Sequence, residues 1–86
     1  MTSIKPEDIG LVRKRIIENS ELDIKSACWN WILSKNSNGY GQIKFQKKMQ
    51  RAHRVSFMAF NGEIPDGIEV MHKCDNRSCV NPFHLK

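Results

Sequence analysis

The stretch Met71-His72-Lys73-Cys74-Asp75-Asn76-Arg77-Ser78-Cys79-Val80-Asn81-Pro82-Phe83-His84-Leu85 decides how this 86-residue chain folds. It sets two cysteines and two histidines in one short segment, with Asn76 and the Asn81-Pro82 pair to turn the chain. Zinc prefers four thiolate or imidazole ligands, and a structural site fills all four positions with protein. Cys74 and Cys79 are separated by four residues, and Cys79 and His84 by four more. The loop therefore offers three ligands, and the only other cysteine is Cys28, beside Trp29. A Cys28, Cys74, Cys79, His84 set would fasten the early chain to its end, which a small domain needs. The alternative is three unrelated buried thiols, since free cysteine packs as a small hydrophobe. The spacing, with every cysteine used, favours the ligand set.

Were His72 a ligand, His84 or Cys28 would be surplus, so the more economical reading leaves His72 outside that set. It follows Ile68-Glu69-Val70-Met71, a strand candidate, and precedes the first loop ligand by two residues. A fixed loop would hold such a histidine firmly enough to serve as a general base, and a surface histidine without a role is the plainer alternative.

Length and composition point to a single domain over residues 1–86. With 40% hydrophobic and 8% aromatic residues its core is modest, and a metal would reinforce it. Three cysteines are an odd count for a disulfide framework, no apolar leader follows Met1, and no apolar run is long enough to span a bilayer. These features argue against a secreted scaffold or a membrane protein. They point to a reducing cytoplasm, where close cysteines serve metals or catalysis.

Charge divides the chain into three parts. Residues 1–23, an N-terminal helix region, carry four basic and five acidic groups, and residues 63–86, a strand and the loop, carry three and four. Residues 24–62 hold Lys25, Lys35, Lys44, Lys47, Lys48, Arg51 and Arg54 without one Asp or Glu. A stretch that basic suits a polyanion, most simply nucleic acid, better than an ordinary solvated face.

In the first part Thr2 or Ser3 is a candidate helix cap. Pro6-Glu7-Asp8 suits a first turn, and Ile9, Val12, Ile16 and Ile17 predict a helix over 6–19 that covers the sheet. Cys28 to Leu33 alternates as a strand, with Cys28 and Asn30 on one face and Trp29, Trp31 and Leu33 on the core face. Asn38-Gly39 is a turn. A second strand is predicted over 40–45 and a third over 49–52. On them Gln42, Lys44 and Gln46 fall opposite Ile43 and Phe45, giving a basic ribbon. Such a ribbon fits a major groove, where Gln reads adenine and Lys or Arg reads guanine or grips phosphate, although a sheet wetted on one side shows the same period. The candidate DNA contacts are Gln42, Lys44, Gln46, Lys47, Lys48, Arg51 and Arg54. A short buried helix follows over 52–60, ended by Asn61-Gly62, with His53 and Arg54 at its start. Ile64-Pro65-Asp66-Gly67 then turns into the strand before His72.

With Cys28-Trp29-Asn30-Trp31, Asn38-Gly39-Tyr40-Gly41, Arg51-Ala52-His53-Arg54, 61–67 and 72–85 in view, the chain resembles the HNH, or His-Me finger, endonucleases, and specifically the zinc-loop branch of phage and homing endonucleases. The resemblance implies a small α+β, zinc-stabilised ββα-metal fold that hydrolyses phosphodiester bonds of double-stranded DNA. It implies Cys28, Cys74, Cys79 and His84 as structural zinc ligands, and His72 as the base that activates water. It also implies Arg51 as the arginine near the phosphate, and Mg2+ or Mn2+ as the catalytic ion. In that family another strand and a helix follow the loop and supply an Asn or His to the catalytic metal. Here the sequence stops at Lys86, so either a fragment of a longer nuclease or a short natural form with a half-built active site is expected. Such a form could still bind DNA, or recruit the metal ligand from a second copy, as a homodimer. Asn76 and Asn81 look structural. A catalytically inactive zinc-dependent DNA-binding module is the alternative function.

Overall fold

The computed structural model describes residues 4–65 and 67–86. The caps proposed at Thr2 and Ser3, and Asp66 in the predicted turn, lie outside those residues. A 3-10 turn over Pro6–Asp8 leads into α1, Ile9–Glu18, followed by β1, Ser20–Leu22, and β2, Trp29–Trp31. Then come β3, Gln42–Phe45, β4, Lys48–Arg51, α2, Ala52–Asn61, and a 3-10 turn over Pro82–His84. The fold is α+β, with two separate antiparallel hairpins, β1 with β2 and β3 with β4.

The helix expected over the first part forms, but it packs mainly on α2 rather than covering a sheet. Val12 and Ile16 are buried, and the Arg13 Nε donates to the Ala59 carbonyl at 2.7 Å while its guanidinium lies over Phe60. Ile17, at the edge of the apolar stripe, is exposed.

Where the sequence pattern ends the first helix at Asn19-Ser20, the chain goes straight into β1. Ser-Glu-Leu has no alternation to announce it, and its partner β2 supplies the reason it exists, with Ser20 opposite Trp31 and Leu22 opposite Trp29. The strand predicted over 28–33 is correspondingly shorter. Trp31 is fully buried and Trp29 packs on the core, but Leu33 is solvent-exposed, because pairing stops after Trp31.

The ribbon forms close to the predicted spans, with Gln42 opposite Arg51 and Phe45 opposite Lys48. Its turn is Gln46-Lys47, both with positive φ of 54° and 65°. Two such residues make the tight turn that matches strand twist, normally given to Asn-Gly. Gln46 therefore sits at the tip, not on the Gln42 and Lys44 face. Gly41 has a different purpose at the foot of the ribbon: a Cβ there would stand 2.7 Å from Trp31 Cδ1. The tryptophan lies flat against that backbone, its Nε1 donating to the Gln42 carbonyl at 3.0 Å.

α2 runs through the middle of the core, burying Ala52, Val55, Met58 and Ala59 against Ile4, Ile16, Trp31, Ile43, Val70, Val80 and Leu85. His53, at the start of α2, is buried. The segment before His72 forms no ladder strand. Its end pairs with the last residues, Met71 and Lys86 exchanging backbone bonds of 2.9 and 3.1 Å around a His72–Leu85 bridge.

Candidate functional site

Residues 78–80 lie along the free edge of β2. Trp31 N–H donates to the Ser78 carbonyl and Val80 N–H to the Trp29 carbonyl, both at 2.8 Å, around an Asn30–Cys79 bridge. This sets Cys79 beside the turn that carries Cys28. That turn is closed by Asp23, whose carboxylate accepts from Lys25 N–H and the Ser26 hydroxyl, and by Ala27 at a φ of 61°.

Asn81 ties the two segments together. Its amide donates to the Ala27 carbonyl at 2.7 Å, and its side-chain oxygen caps the final 3-10 turn through Phe83 N–H at 2.9 Å. Asn76 donates to Asn30 Oδ1 at 2.7 Å and accepts from Ser78. Both asparagines are occupied in holding the loop.

The four predicted ligands meet. One donor atom from each of Cys28, Cys74, Cys79 and His84 lies within 4.8 Å of every other. His84 Nδ1 is 3.6 Å from Cys28 Sγ and 3.5 Å from Cys79 Sγ. In a tetrahedral zinc site, with metal–sulfur near 2.3 Å, sulfur and nitrogen stand about 3.5 Å apart. The donor set fits a four-coordinate ion and can hold a metal such as zinc. Burial pushes the Cys79 thiol up to about 12. Burial also acts to raise Cys28, but hydrogen bonding by Ser26, Asn76, Cys79 and His84 outweighs it and brings that thiol down to about 7. A bound cation would deprotonate the thiols it ligates.

His72 stands outside this cluster, on the wall of a cleft of about 650 Å³ that Tyr40, Arg51, His53, Arg54 and Arg77 also line. Its Nε2 is 2.9 Å from the Cys79 carbonyl. A carbonyl can only accept, so Nε2 carries the proton and the neutral ring keeps its lone pair on Nδ1. Burial lowers the pKa of His72, opposed by the bond to Cys79 and by Asp75.

Behind it lies His53, 3% exposed, its Nε2 donating to the Val70 carbonyl at 3.0 Å and its ring centroid 4.4 Å from that of His72. Burial, His72 and the nearby Arg51 and Arg54 bring the His53 pKa down to about 4, despite the Val70 bond. Its Nδ1 is buried without a hydrogen-bond partner.

Tyr40 stacks with both imidazoles, at 5.5 Å from His53 and 6.0 Å from His72, and carries the Arg51 guanidinium at 4.6 Å. Tyr40, His53 and Arg77 had no assigned part in the site from sequence. Their side chains reach it from the Asn38-Gly39 turn, a helix start and the loop, and only the fold unites these. Of the expected DNA contacts, Arg51 and Arg54 line the cleft, Arg54 also donating to the Ile68 carbonyl at 3.1 Å. Lys44, Gln46, Lys47 and Lys48 are exposed along the hairpin and its tip and do not line the cleft, while Gln42 is half-buried and accepts from the Ser34 hydroxyl.

Residues 50–86 match the family model of HNH endonucleases. Protein 2.8 of Escherichia phage T7 is 38% identical over 76 residues, covering 86% of this chain and 50% of that protein. Protein 7.7 of the same phage is 41% identical over 58 residues, 67% of this chain and 45% of its own length. The gene 5.3 protein of Enterobacteria phage T3 is 38% identical over 58 residues, covering 60% of this chain and 57% of its own. The chain thus spans about half the length of the curated relatives it matches. No solved structure matches significantly. Residues 50–86, which carry His72 and three of the four clustered metal-binding side chains, are thus similar to the HNH endonucleases.

Proposed function

We propose that the chain is a DNA endonuclease domain, a single unit over residues 1–86, in which Cys28, Cys74, Cys79 and His84 hold a structural zinc and His72 acts as general base on double-stranded DNA. When bound, zinc supplies folding free energy by joining the loop to the turn before β2. The observation that carries the function is the His72–Cys79 hydrogen bond. It belongs to the same residue whose thiol joins the metal cluster, so the loop that binds metal also sets the tautomer of the base.

His72 Nδ1 removes a proton from water as the water oxygen attacks phosphorus, and the 3′ or 5′ oxygen leaves with its electron pair. Arg51 neutralises charge developing on the phosphate oxygens. Lys44, Gln46, Lys47 and Lys48 grip the duplex along the hairpin, with Gln42, Arg51 and Arg54 nearer the cleft. The Mg2+ or Mn2+ that the family uses would, when bound, supply charge neutralisation at the phosphate, held by one or two side chains, water and the phosphate itself. The alternative is a zinc-dependent DNA-binding module without hydrolysis; a ligand from a second copy would make the site a homodimer's. The relatives are phage proteins, which supports a role in the cytoplasm of an infected bacterium. No helix among the described residues is long and apolar enough to cross a membrane.

Supercoiled plasmid incubated with protein and Mg2+ or Mn2+ tests this. Nicking that falls by about 100-fold or more in His72→Ala, with duplex affinity kept, supports hydrolysis. Salt-sensitive binding without nicking supports the module.

A further inference from the structure

We propose that Arg51 and Arg77, both held over the Tyr40 ring, form a seat for one phosphodiester group, so that the metal-binding loop contributes a DNA contact of its own. The proposal rests on the DNA-directed function above and adds to it a residue and a ligand class.

Arg77 lies in the loop between Cys74 and Cys79. Its guanidinium carbon is 5.4 Å from the Tyr40 centroid, and that of Arg51 is 4.6 Å away. Two guanidinium groups near one small aromatic ring concentrate positive charge in the cleft, which a bound anion lowers. None of the protein's own carboxylates fills that place among the described residues, where the ion pair observed is Lys14–Glu18, far from the cleft in sequence. Glu69 and Asp75 line the same cleft without pairing with either guanidinium.

The ring attracts each cation while leaving N–H groups free for an acceptor. Arg77 uses one N–H on the Asn38 carbonyl at 2.9 Å, which fixes its direction, and a guanidinium has five. An acceptor with two or more oxygens and negative charge matches these donors, and a phosphodiester takes a guanidinium fork at its non-bridging oxygens. Tyr40 also stacks with His72, so a phosphate seated here lies beside the base. The same chemistry would take free phosphate, and the two sources separate by experiment.

The full chain is compared with Arg77→Ala, Arg77→Lys, Arg51→Ala and the Arg51→Ala/Arg77→Ala pair, each checked for unchanged zinc content and circular dichroism. Binding to a short random-sequence duplex is followed by fluorescence anisotropy across a salt series without added Mg2+. Arg77→Ala should weaken binding about tenfold. Arg77→Lys should recover only part of this, since an ammonium has no planar fork. The double variant should lower the slope of log affinity against log salt by about 0.9, the value for one phosphate. A loss near twice that means two separate phosphates and overturns the shared seat, and unchanged affinity in Arg77→Ala overturns the contact.

In a second arm inorganic phosphate is titrated into the wild type and the guanidinium and Tyr40 ring signals are followed by NMR. Shifts at Arg51, Arg77 and Tyr40 that vanish in Arg77→Ala support the seat even for a chain that fails to bind duplex, in which case the DNA function falls and the anion site stands. Shifts spread evenly over the hairpin lysines mark an adventitious ion only and overturn it.

Discussion

The β3–β4 hairpin is held by its own backbone ladder, from Gln42 opposite Arg51 to Phe45 opposite Lys48, and Lys44, Lys48 and Met49 lie in solvent. The loop from His72 to Leu85 has isolated bridges and scattered backbone bonds in place of a ladder, and side chains complete its hold. Asn76 and Ser78 bond to each other and to the Asn30 side chain, Asn81 donates to the Ala27 carbonyl, the Ser56 hydroxyl donates to the Val80 carbonyl, and four donors converge on one point. The hairpin is local structure whose solvent-facing side chains do not set its shape. The loop is long-range structure in which particular side chains carry the shape, so a single substitution there reaches both the fold and the base.

The largest effect should follow from removing the metal, by chelation or by Cys74→Ser. Binding free energy at such a site is folding free energy, so the loop and β2 should lose order and circular dichroism should show broad unfolding. Lys44→Ala on the hairpin should leave the melting curve unchanged. A fully retained Tm after complete metal loss would erase the contrast between the two regions.

Acid should come next, through His53. Its ordinary pKa is 6.5 and it is lowered to about 4 in the folded chain, chiefly by burial. Between those values the unfolded chain takes up a proton that the folded one refuses, so this contribution is intact above about pH 6.5 and is lost as pH falls toward 4. The span is on the order of 3 kcal/mol. His53→Gln, which keeps a donor for the Val70 carbonyl, should flatten the fall in stability over that window relative to wild type. Parallel curves for the two proteins in urea titrations would show that His53 has no part in it.

A smaller loss is expected where the two regions share a support. Gly41→Ala brings a Cβ to 2.7 and 2.8 Å from Trp31 Cδ1 and Cγ, and that ring is fully buried and bonded to Gln42, so it has nowhere to swing. The cost should be about 2 kcal/mol, measured by denaturant midpoint at constant m-value. Lys47→Gly should act in the opposite direction, stabilising by about 0.5 to 1 kcal/mol by relieving a left-handed residue at the tip. It should also reduce the salt dependence of duplex binding, and a rise in Tm without that reduction would remove Lys47 from the contact surface.

Particular residues show how far the amino-acid pattern reached. Ile43 and Phe45 opposite Lys44 predicted the ribbon within a residue or two, because a period of two is a local property of the chain. Val12 and Ile16 predicted α1 equally well. β1 escaped notice because Ser20-Glu21-Leu22 is extended only through its pairing with Trp29–Trp31. Leu33, apolar and in register, nevertheless ended in solvent because no neighbour covers it.

The candidate site divides in the same way. The chemistry of cysteine and imidazole limits which residues can share a metal, and the chain has one cysteine outside the loop, so Cys28, Cys74, Cys79 and His84 were legible as a set from type and spacing alone. What the tertiary structure decided is everything that depends on contact between distant segments. The fold gave the Cys79 carbonyl to His72 Nε2, buried His53 behind that ring, and set Arg51 and Arg77 over Tyr40. Hydrogen bonds and stacked rings act over a few ångströms, and only the folded chain brings residues as far apart as Tyr40 and Arg77 within that range.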